Sequence, residues 1–333
     1  MNVEQITLDE WSNELPEEGV EIFHSPDVLA VADKYTDSEL RLFGGFSGQE
    51  LVGFLPVFVR EYPAVTVVLS PPPAVSLWRM GPVIMPQSPK RRKKESLNRK
   101  FIDGALQKIG ADKPLTLSYI ILSTSYTDPR PYKWADYDFE PRFTYRLDLQ
   151  STDEEEVLSS FSRSLRSEIK YFDDVPVDVT VGSAEEALRV YDEFRKRFAE
   201  QGASFPTSRA YTRDLVATLG DRASVYTAEG PDGEFLGGIT VLYSNTCAYF
   251  WQGGMRSNFQ GRSVNSLLHW RIIQDILSDS SIDSVTHYDL GRAAVERLGQ
   301  YKSKFNPDIV PYYEIKSGKL ISIAKEAYKF IAY

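Results

Sequence analysis

The spacing of apolar residues changes period repeatedly along the chain, and the changes recur in the same order in its two halves. A helical period near Pro26 to Tyr35 gives way to the two-residue alternation of strands in RLFGGFS, ELVGFLPVFVRE and VTVVLSP. Pro71, Pro72 and Pro73 then force a bend. SLWRMGPVIM resumes the strand pattern, a helix is predicted from Glu95 to Ile109, and LTLSYIIL reads as a buried strand. In the second half ASVYTAEG and EFLGGITVLYS flank the turn Pro231-Asp232-Gly233. After the turn Asn245-Thr246 come the strand CAYFWQGGM, the helix VNSLLHWRIIQDIL and the strand SVTHYDL.

Gly48-Gln49-Glu50-Leu51-Val52-Gly53 matches Gly233-Glu234-Phe235-Leu236-Gly237 in kind, and each is followed by hairpin, loop, helix and strand. The offset of about 180 residues means two like domains, not a solenoid. Alternating antiparallel strands with interleaved helices make the class α+β. The expected division is a divergent first domain over residues 1–148, completed by a C-terminal helix within 318–333, and a second domain over 149–315.

Between the halves, Thr152 and Glu155 are spaced as a capping box that opens a helix running to Phe172. Val157, Leu158, Phe161, Leu165, Ile169 and Phe172 share one face, and Arg163, Arg166 and Lys170 the other. The basic face is either solvated or the lining of a groove that meets anionic groups. A second capping box, Ser183 with Glu186, starts a helix that stops at Gly202.

Composition narrows the function. The 333 residues are 42% hydrophobic and 13% aromatic, enough for packed cores. No apolar run reaches membrane-spanning length and the N-terminus lacks a signal pattern, so the expectation is a soluble, cytoplasmic protein. Cys247 alone excludes an internal disulfide and a thiolate zinc site, and His24, His269 and His287 have no metal-ligand spacing. A net charge of -9 argues against DNA binding by the whole surface. One segment departs from it: PKRRKKESLNRK, residues 89–100, holds seven basic residues and is either a solvated loop or helix entry or a contact for phosphate, tRNA or an anionic membrane.

Nucleophile elbow, P-loop and strand-to-helix GxGxxG are all missing. What remains is the strand Tyr249-Phe250-Trp251-Gln252-Gly253-Gly254, entering a loop of Arg256, Ser257, Asn258, Gln260 and Arg262 and then a helix beginning near Asn265. Glycines before a helix N-terminus offer backbone N–H groups to an anion or carbonyl, or simply make a turn. Strict alternation places Tyr249 with Trp251 on one side and Phe250 with Gln252 on the other, one pair in the core and the other open to a cleft. Downstream, HYDLGRAAVERLGQYKSKFNP leaves a buried strand at Asp289 and Arg292 and delivers Tyr301, Lys302, Lys304 and Phe305 together. Asp289 either fixes the strand exit through backbone bonds or Arg292, or meets an acceptor amine.

These features in this order (SLRSEIKYF, EFLGGITVLYSNTCAYFWQGGM, VNSLLHWRII, HYDLGR, YKSKFN) resemble the FemAB/FemX-like branch of the GNAT acyltransferase superfamily, including its CelD-like or BioF2-like acetyltransferase domain. The resemblance covers residues 150–315, with the first half as the divergent partner domain. It implies two tandem GNAT-like domains and an acyl- or aminoacyltransferase acting on an amine, with a small molecule or cell-envelope glycan precursor as acceptor. It implies no resident cofactor; acyl-CoA or aminoacyl-tRNA is the co-substrate. Lys302 matches the family lysine that stands near the acceptor and the developing charge. Arg166, Lys170, Tyr249, Gln252, Asn265, Asp289, Arg292 and Tyr301 are the expected substrate-binding residues. The phosphate-cradling Q/R-x-x-G-x-G/A loop is missing, since RSNFQGRSV has Gly261 alone, which favours an aminoacyl-tRNA or an atypical donor. A non-catalytic module for a glycan or nucleotide sugar is the third reading. For the last helix, from Ile323, the alternatives are return to the first domain, docking on another subunit, or peripheral contact with a membrane, since Lys325 and Lys329 share a face.

Overall fold

Gly48 and Gly233 hold equivalent places in the two halves: each has a positive φ, +70° and +75°, and each turns a strand back on its neighbour. The computed structural model describes residues 1–111, 113, 115–150, 153–200, 202–254, 258–292 and 295–317. The expected C-terminal helix, Thr152, Arg256 and Ser257 lie outside these residues. Two compact units form, one from Met1–Arg142 together with residues 311–317, the other from Phe143–Val310.

The first unit contains β1 (Asn2–Ile6), α1 (Leu8–Glu14), α2 (Pro26–Lys34), β2 (Glu39–Ser47), β3 (Glu50–Glu61), β4 (Thr66–Ser70), β5 (Val83–Ile84), α3 (Arg91–Ile109), β6 (Thr116–Ile121) and α4 (Arg130–Trp134). Its sheet runs β1-β2-β3-β4-β6, antiparallel except where β4 pairs β6 in parallel, and the short β5 pairs β3. Phe101 of α3 lies so close over Gly45 and Gly53 that neither position has room for a Cβ. The glycines thus let the helix approach the sheet and bury Phe101 completely.

From the first unit β7 (Tyr137–Asp148) runs into the second, which continues with α5 (Glu154–Ser160), α6 (Arg163–Phe172), β8 (Asp178–Gly182), α7 (Ala184–Glu200), α8 (Arg209–Leu219), β9 (Ala223–Glu229), β10 (Phe235–Tyr243), β11 (Cys247–Gly253), β12 (Asn258–Phe259), β13 (Arg262–Ser263), α9 (Val264–Ser278), β14 (His287–Arg292) and α10 (Glu296–Lys302). The last strand, β15 (Asp308–Ser317), returns to the first unit, where it pairs antiparallel with β6. Within the second unit the strand order is β7-β14-β11-β10-β9-β8, with β11 and β14 the parallel pair. On one face α6 and α9 bring Leu165, Ile169, Phe172, Leu268 and Ile272 onto Ile239, Val241, Ala248 and Tyr288. On the other lie α7 and α8: Val190 fills the space over Gly238, and Tyr211 meets Trp251 with ring centroids 6.3 Å apart.

Three expectations change. The single helix from Thr152 to Phe172 is two, because Phe161 and Ser162 are extended; Asp153 caps α5, and the Ser162 hydroxyl accepts from Leu165 N to start α6. The basic run is not a loop ahead of a helix at Glu95, since α3 already begins at Arg91. Within SLWRMGPVIM only Val83–Ile84 is strand.

Candidate active site

The parallel strands of the second unit part company. β11 and β14 pair at Cys247 with His287, Ala248 with Tyr288 and Tyr249 with Asp289, and no further. Beyond that, among the described residues, Phe250 to Gly253 and Leu290 to Arg292 continue as strands that do not pair with each other, leaving a wedge between them. A break in register on each side accompanies the parting. The β10–β11 register slips between Thr240 and Val241, where Trp251 is the extra residue, and the β14–β7 register slips between Asp289 and Gly291, where Leu290 is extra.

The bulge at Trp251 overturns the alternation expected for this strand. Gln252 pairs with Thr240, not with Val241, and therefore leaves the Phe250 face. Trp251, meeting Tyr211, and Gln252, beside Thr240, both belong with the α7–α8 side, while Phe250 packs on His269 of α9. Tyr249 is buried and its hydroxyl lies 3.5 Å from that of Ser244, at the closed end of the pair.

On the β14 wall, Asp289 is 1% exposed and its Oδ1 accepts from Thr144 Oγ1 at 2.5 Å and Gly291 N at 2.8 Å. These bonds fix the bulge. Lys302, at the end of α10, is only 9% exposed and its Nζ donates to the Arg292 carbonyl at 3.0 Å. Burial lowers its pKa from 10.5 to about 8, and the attraction of Asp289 works against a larger fall. Its neighbour His269 is held neutral: burial first, and the Lys302 charge second, lower its pKa to about 3, and its Nδ1 meets Tyr288 Oη at 2.9 Å. Lys302 is thus a cation deep in the second unit, attached to the last carbonyl of one wedge wall.

The remaining expected residues divide by exposure. Tyr301 packs against Phe305 and His269, and its hydroxyl is buried facing Ser266 and Ser263; burial raises its pKa, with those hydroxyls opposing the rise. Asn265 is buried in the first turn of α9, whose Ser263 cap makes no side-chain bond to the helix. Arg166 is exposed and donates to the Ser159 carbonyl, Lys170 is exposed on α6, and the Arg292 side chain is exposed at the mouth of β14. Lys302, Asp289 and Tyr301 therefore come together, and Arg166 and Lys170 lie on an outer surface.

Glu168 and Ser266 were not among the expected residues. Glu168 Oε2 accepts from Ser266 Oγ at 2.7 Å, and its Oε1 lies 3.5 Å from Lys304 Nζ, tying α6, α9 and the turn after α10 together. The signal was present in the sequence: at 100° per residue Glu168 falls at the edge of the apolar face of α6, about 40° from Phe172. The turn before α9 is a hairpin, with Gln260 and Gly261 at φ +48° and +82° and Gln260 Oε1 accepting from Tyr171 Oη at 2.5 Å. It is not a glycine-rich cradle.

In the first unit the matching place is closed. β4 and β6 pair over all five residues, Thr66 to Ser70 with Thr116 to Ile120, and Met80 extends the ladder by bridging to Leu122. Arg79, 2% exposed, anchors that segment on Glu21 at 2.9 Å, and Glu21 also accepts from Thr124 N at 3.0 Å. Outside the sheet, Lys93, Lys94 and Lys100 of α3 line a groove of about 920 Å³ with Ser47, Gln87 and Ser96.

Residues 159–303 match the acetyltransferase (GNAT) domain model. That match spans most of the second unit. Across the whole chain, the fold resembles those of FemX and of a tandem GNAT protein. The crystal structure of FemX superposes with a TM-score of 0.69 at 14% identity, covering 97% of this chain and 99% of that one. The C-terminal domain of a putative lysylphosphatidylglycerol synthetase from Agrobacterium fabrum gives 0.56 at 12% identity, covering 96% and 94%. A tandem GNAT protein from the clavulanic acid biosynthesis pathway gives 0.53 at 13%, covering 95% and 97%. No curated protein matches the chain by sequence.

Proposed function

We propose that the second unit transfers an activated acyl or aminoacyl group to an amine, with the group entering the wedge between β11 and β14. The observation that carries this reading is the contrast between the units: the same parallel pair is open beside a buried lysine in one and zipped shut in the other. In the reaction the acceptor amine adds to the acyl carbonyl, the carbonyl oxygen gains negative charge, and the bond to the leaving oxygen or sulfur breaks as a proton passes from the amine, directly or through solvent, to that leaving atom. Lys302 Nζ is the cation that stabilises the oxyanion or the leaving group. Asp289 is a positioning residue that keeps Lys302 charged, and enclosure in the wedge supplies orientation. Tyr301 and Gln252 contact substrate at the walls, Asn265 and the first turn of α9 meet the donor, and Arg292, Arg166 and Lys170 act at the periphery.

Aminoacyl-tRNA is the favoured donor. The hairpin before α9 offers no glycine nest for a CoA pyrophosphate, and Lys93, Lys94 and Lys100 present a cationic groove to a polyanion on an otherwise acidic chain. Acyl-CoA is the alternative, favoured by the acetyltransferase domain match. An amine-bearing cell-envelope or glycan precursor is the proposed acceptor, with an amino sugar or small amine as the alternative for an acyl-CoA donor. Thermal-shift titration with acetyl-CoA, bulk tRNA and UDP-linked amino sugars separates the donors, because a ligand that prefers the folded state raises the midpoint. A salt-sensitive shift with tRNA and none with acetyl-CoA supports the first donor, and the reverse supports the second. Binding of a UDP-sugar with no transfer from any donor would return the protein to the class of binding modules.

A further inference from the structure

Around the β11 wall, several buried polar groups have no hydrogen-bond partner among the described residues. Gln252 is 2% exposed, and neither its amide oxygen nor its amide nitrogen makes a hydrogen bond to any of them. Thr240, its cross-strand partner, is fully buried and its hydroxyl is likewise unbonded. On α8, Thr212 is fully buried with an unbonded hydroxyl, and its neighbour Tyr211 lies against Trp251 at the bulge. Folded proteins leave few buried polar atoms unpaired, and those that remain mark places where something else completes the bonding. Of these residues, Gln252 sits on the stretch of β11 that has lost its β14 partner, with Thr240 opposite it on β10, so the gap in the ladder and this pair of unmet side chains coincide.

The chemistry of the missing partner follows from the atoms on offer. A primary amide presents one acceptor and two donors, and a threonine hydroxyl serves as either. Gln252, Thr240, Tyr211 and Trp251 are all neutral, so an ionised group placed against them would lose its hydration without a counter-charge. We infer that Gln252 and Thr240 are specificity-determining residues of a buried subsite on the β11 wall, which takes a neutral hydrogen-bonding group of the substrate, a hydroxyl or a carboxamide. The inference rests on the wedge being the transfer site. A plain acetyl group fills this place without meeting the amide, and a site built to bond a hydroxyl rejects the analogue that lacks it far more strongly than an apolar pocket rejects an extra one.

The neutral group belongs either to the acyl group or to the acceptor, and binding of matched probes tells them apart. Dissociation constants are measured for acetyl-CoA against hydroxyacetyl-CoA, for the 3′-acetyl against the 3′-hydroxyacetyl ester of adenosine, and for ethylamine against ethanolamine. Wild-type protein is expected to prefer the hydroxyl-bearing member at least tenfold in one set, a donor preference placing the subsite on the acyl group and an acceptor preference on the amine. Gln252→Met should reduce that preference to within about twofold. Thr240→Val, which keeps the shape of the side chain, should weaken it in the same direction and serves if Gln252→Met does not fold. Equal binding within every pair, or a preference that survives both substitutions, overturns the subsite. Discrimination in wild type that is lost in the variants, with no transfer in any assay, upholds the subsite and instead removes the transferase reading.

Discussion

Replacing Lys302 by methionine should stabilise the protein at neutral pH while stopping transfer. Burial holds the ammonium pKa at about 8 in place of 10.5, so the folded state disfavours the charged form by about 3 kcal/mol at pH 7. Methionine has similar length, carries no charge, and leaves the Arg292 carbonyl to bond solvent at the exposed end of β14. After the lost hydrogen bond is subtracted, about 1–3 kcal/mol of stabilisation remains. In a unit of this size that raises the melting midpoint by about 2–4 °C per kcal/mol. The sign with pH is fixed by a lysine whose folded pKa lies below its unfolded one. Between about 8 and 10.5 the unfolded chain holds the proton that the folded chain has released, so wild-type stability climbs through that window. The advantage of Lys302→Met should therefore shrink from pH 8 and vanish above 10.5. Calorimetric melts of both proteins from pH 6 to 11 read this directly. A midpoint for Lys302→Met that is lower at pH 7, or a gap that does not close with pH, would refute the argument that Lys302 is a buried cation held at a cost.

Transfer by the wild type should fall as pH rises through about 8, and Lys302→Arg, which stays charged, should abolish that falling limb even where its rate is lower; a limb that persists assigns the titration to another group. Asp289→Asn should move the limb to lower pH, since Asp289 is the charge that supports the Lys302 proton, and an unmoved pH profile would disconnect the two residues. In the first unit, Arg79→Met leaves Glu21 buried without its partner and should cost about 3–5 kcal/mol in denaturant unfolding, whereas a cost under about 1 kcal/mol would mean that the pair is dispensable. Lys93, Lys94 and Lys100 changed together to glutamate should weaken tRNA binding by at least tenfold at low salt, with the difference fading as salt rises; equal binding would move the polyanion contact elsewhere.

Much of the fold was legible because its signals are local. Gly48 and Gly233 mark the same turn in the two units, and Ser183 with Glu186 caps α7 through a 2.7 Å bond from Ser183 N. The helix around Phe161 was misread because its face continues through the break. The apolar period persists across two helices that bury the same side, and a two-residue interruption leaves no trace in it. Gln252 shows the same limit in a strand. Alternation counts residues, and a bulge adds one, so the side of Gln252 is decided by its pairing with Thr240 and not by its own sequence. Lys302 was accessible by resemblance to a family pattern. Its burial, the neutral His269 beside it and its tie to Arg292 depend on elements that the chain brings together only on folding. Glu168 was visible as a charge at the edge of an apolar face, a signal that points to a partner without naming Ser266.

The zipped pair in the first unit has a consequence for redesign. Its strands are held together by a segment that occupies the gap itself, Met80 on Leu122, and that segment is pinned by a buried ion pair reaching back to Glu21 and Thr124. Transplanting a lysine and a glutamine into the first unit would furnish walls with no space between them. Opening the space requires the 78–81 segment to leave, and that exposes Glu21 and His24 together. The first unit holds a keystone where the second leaves a gap, and single substitutions are too small a step to turn one into the other.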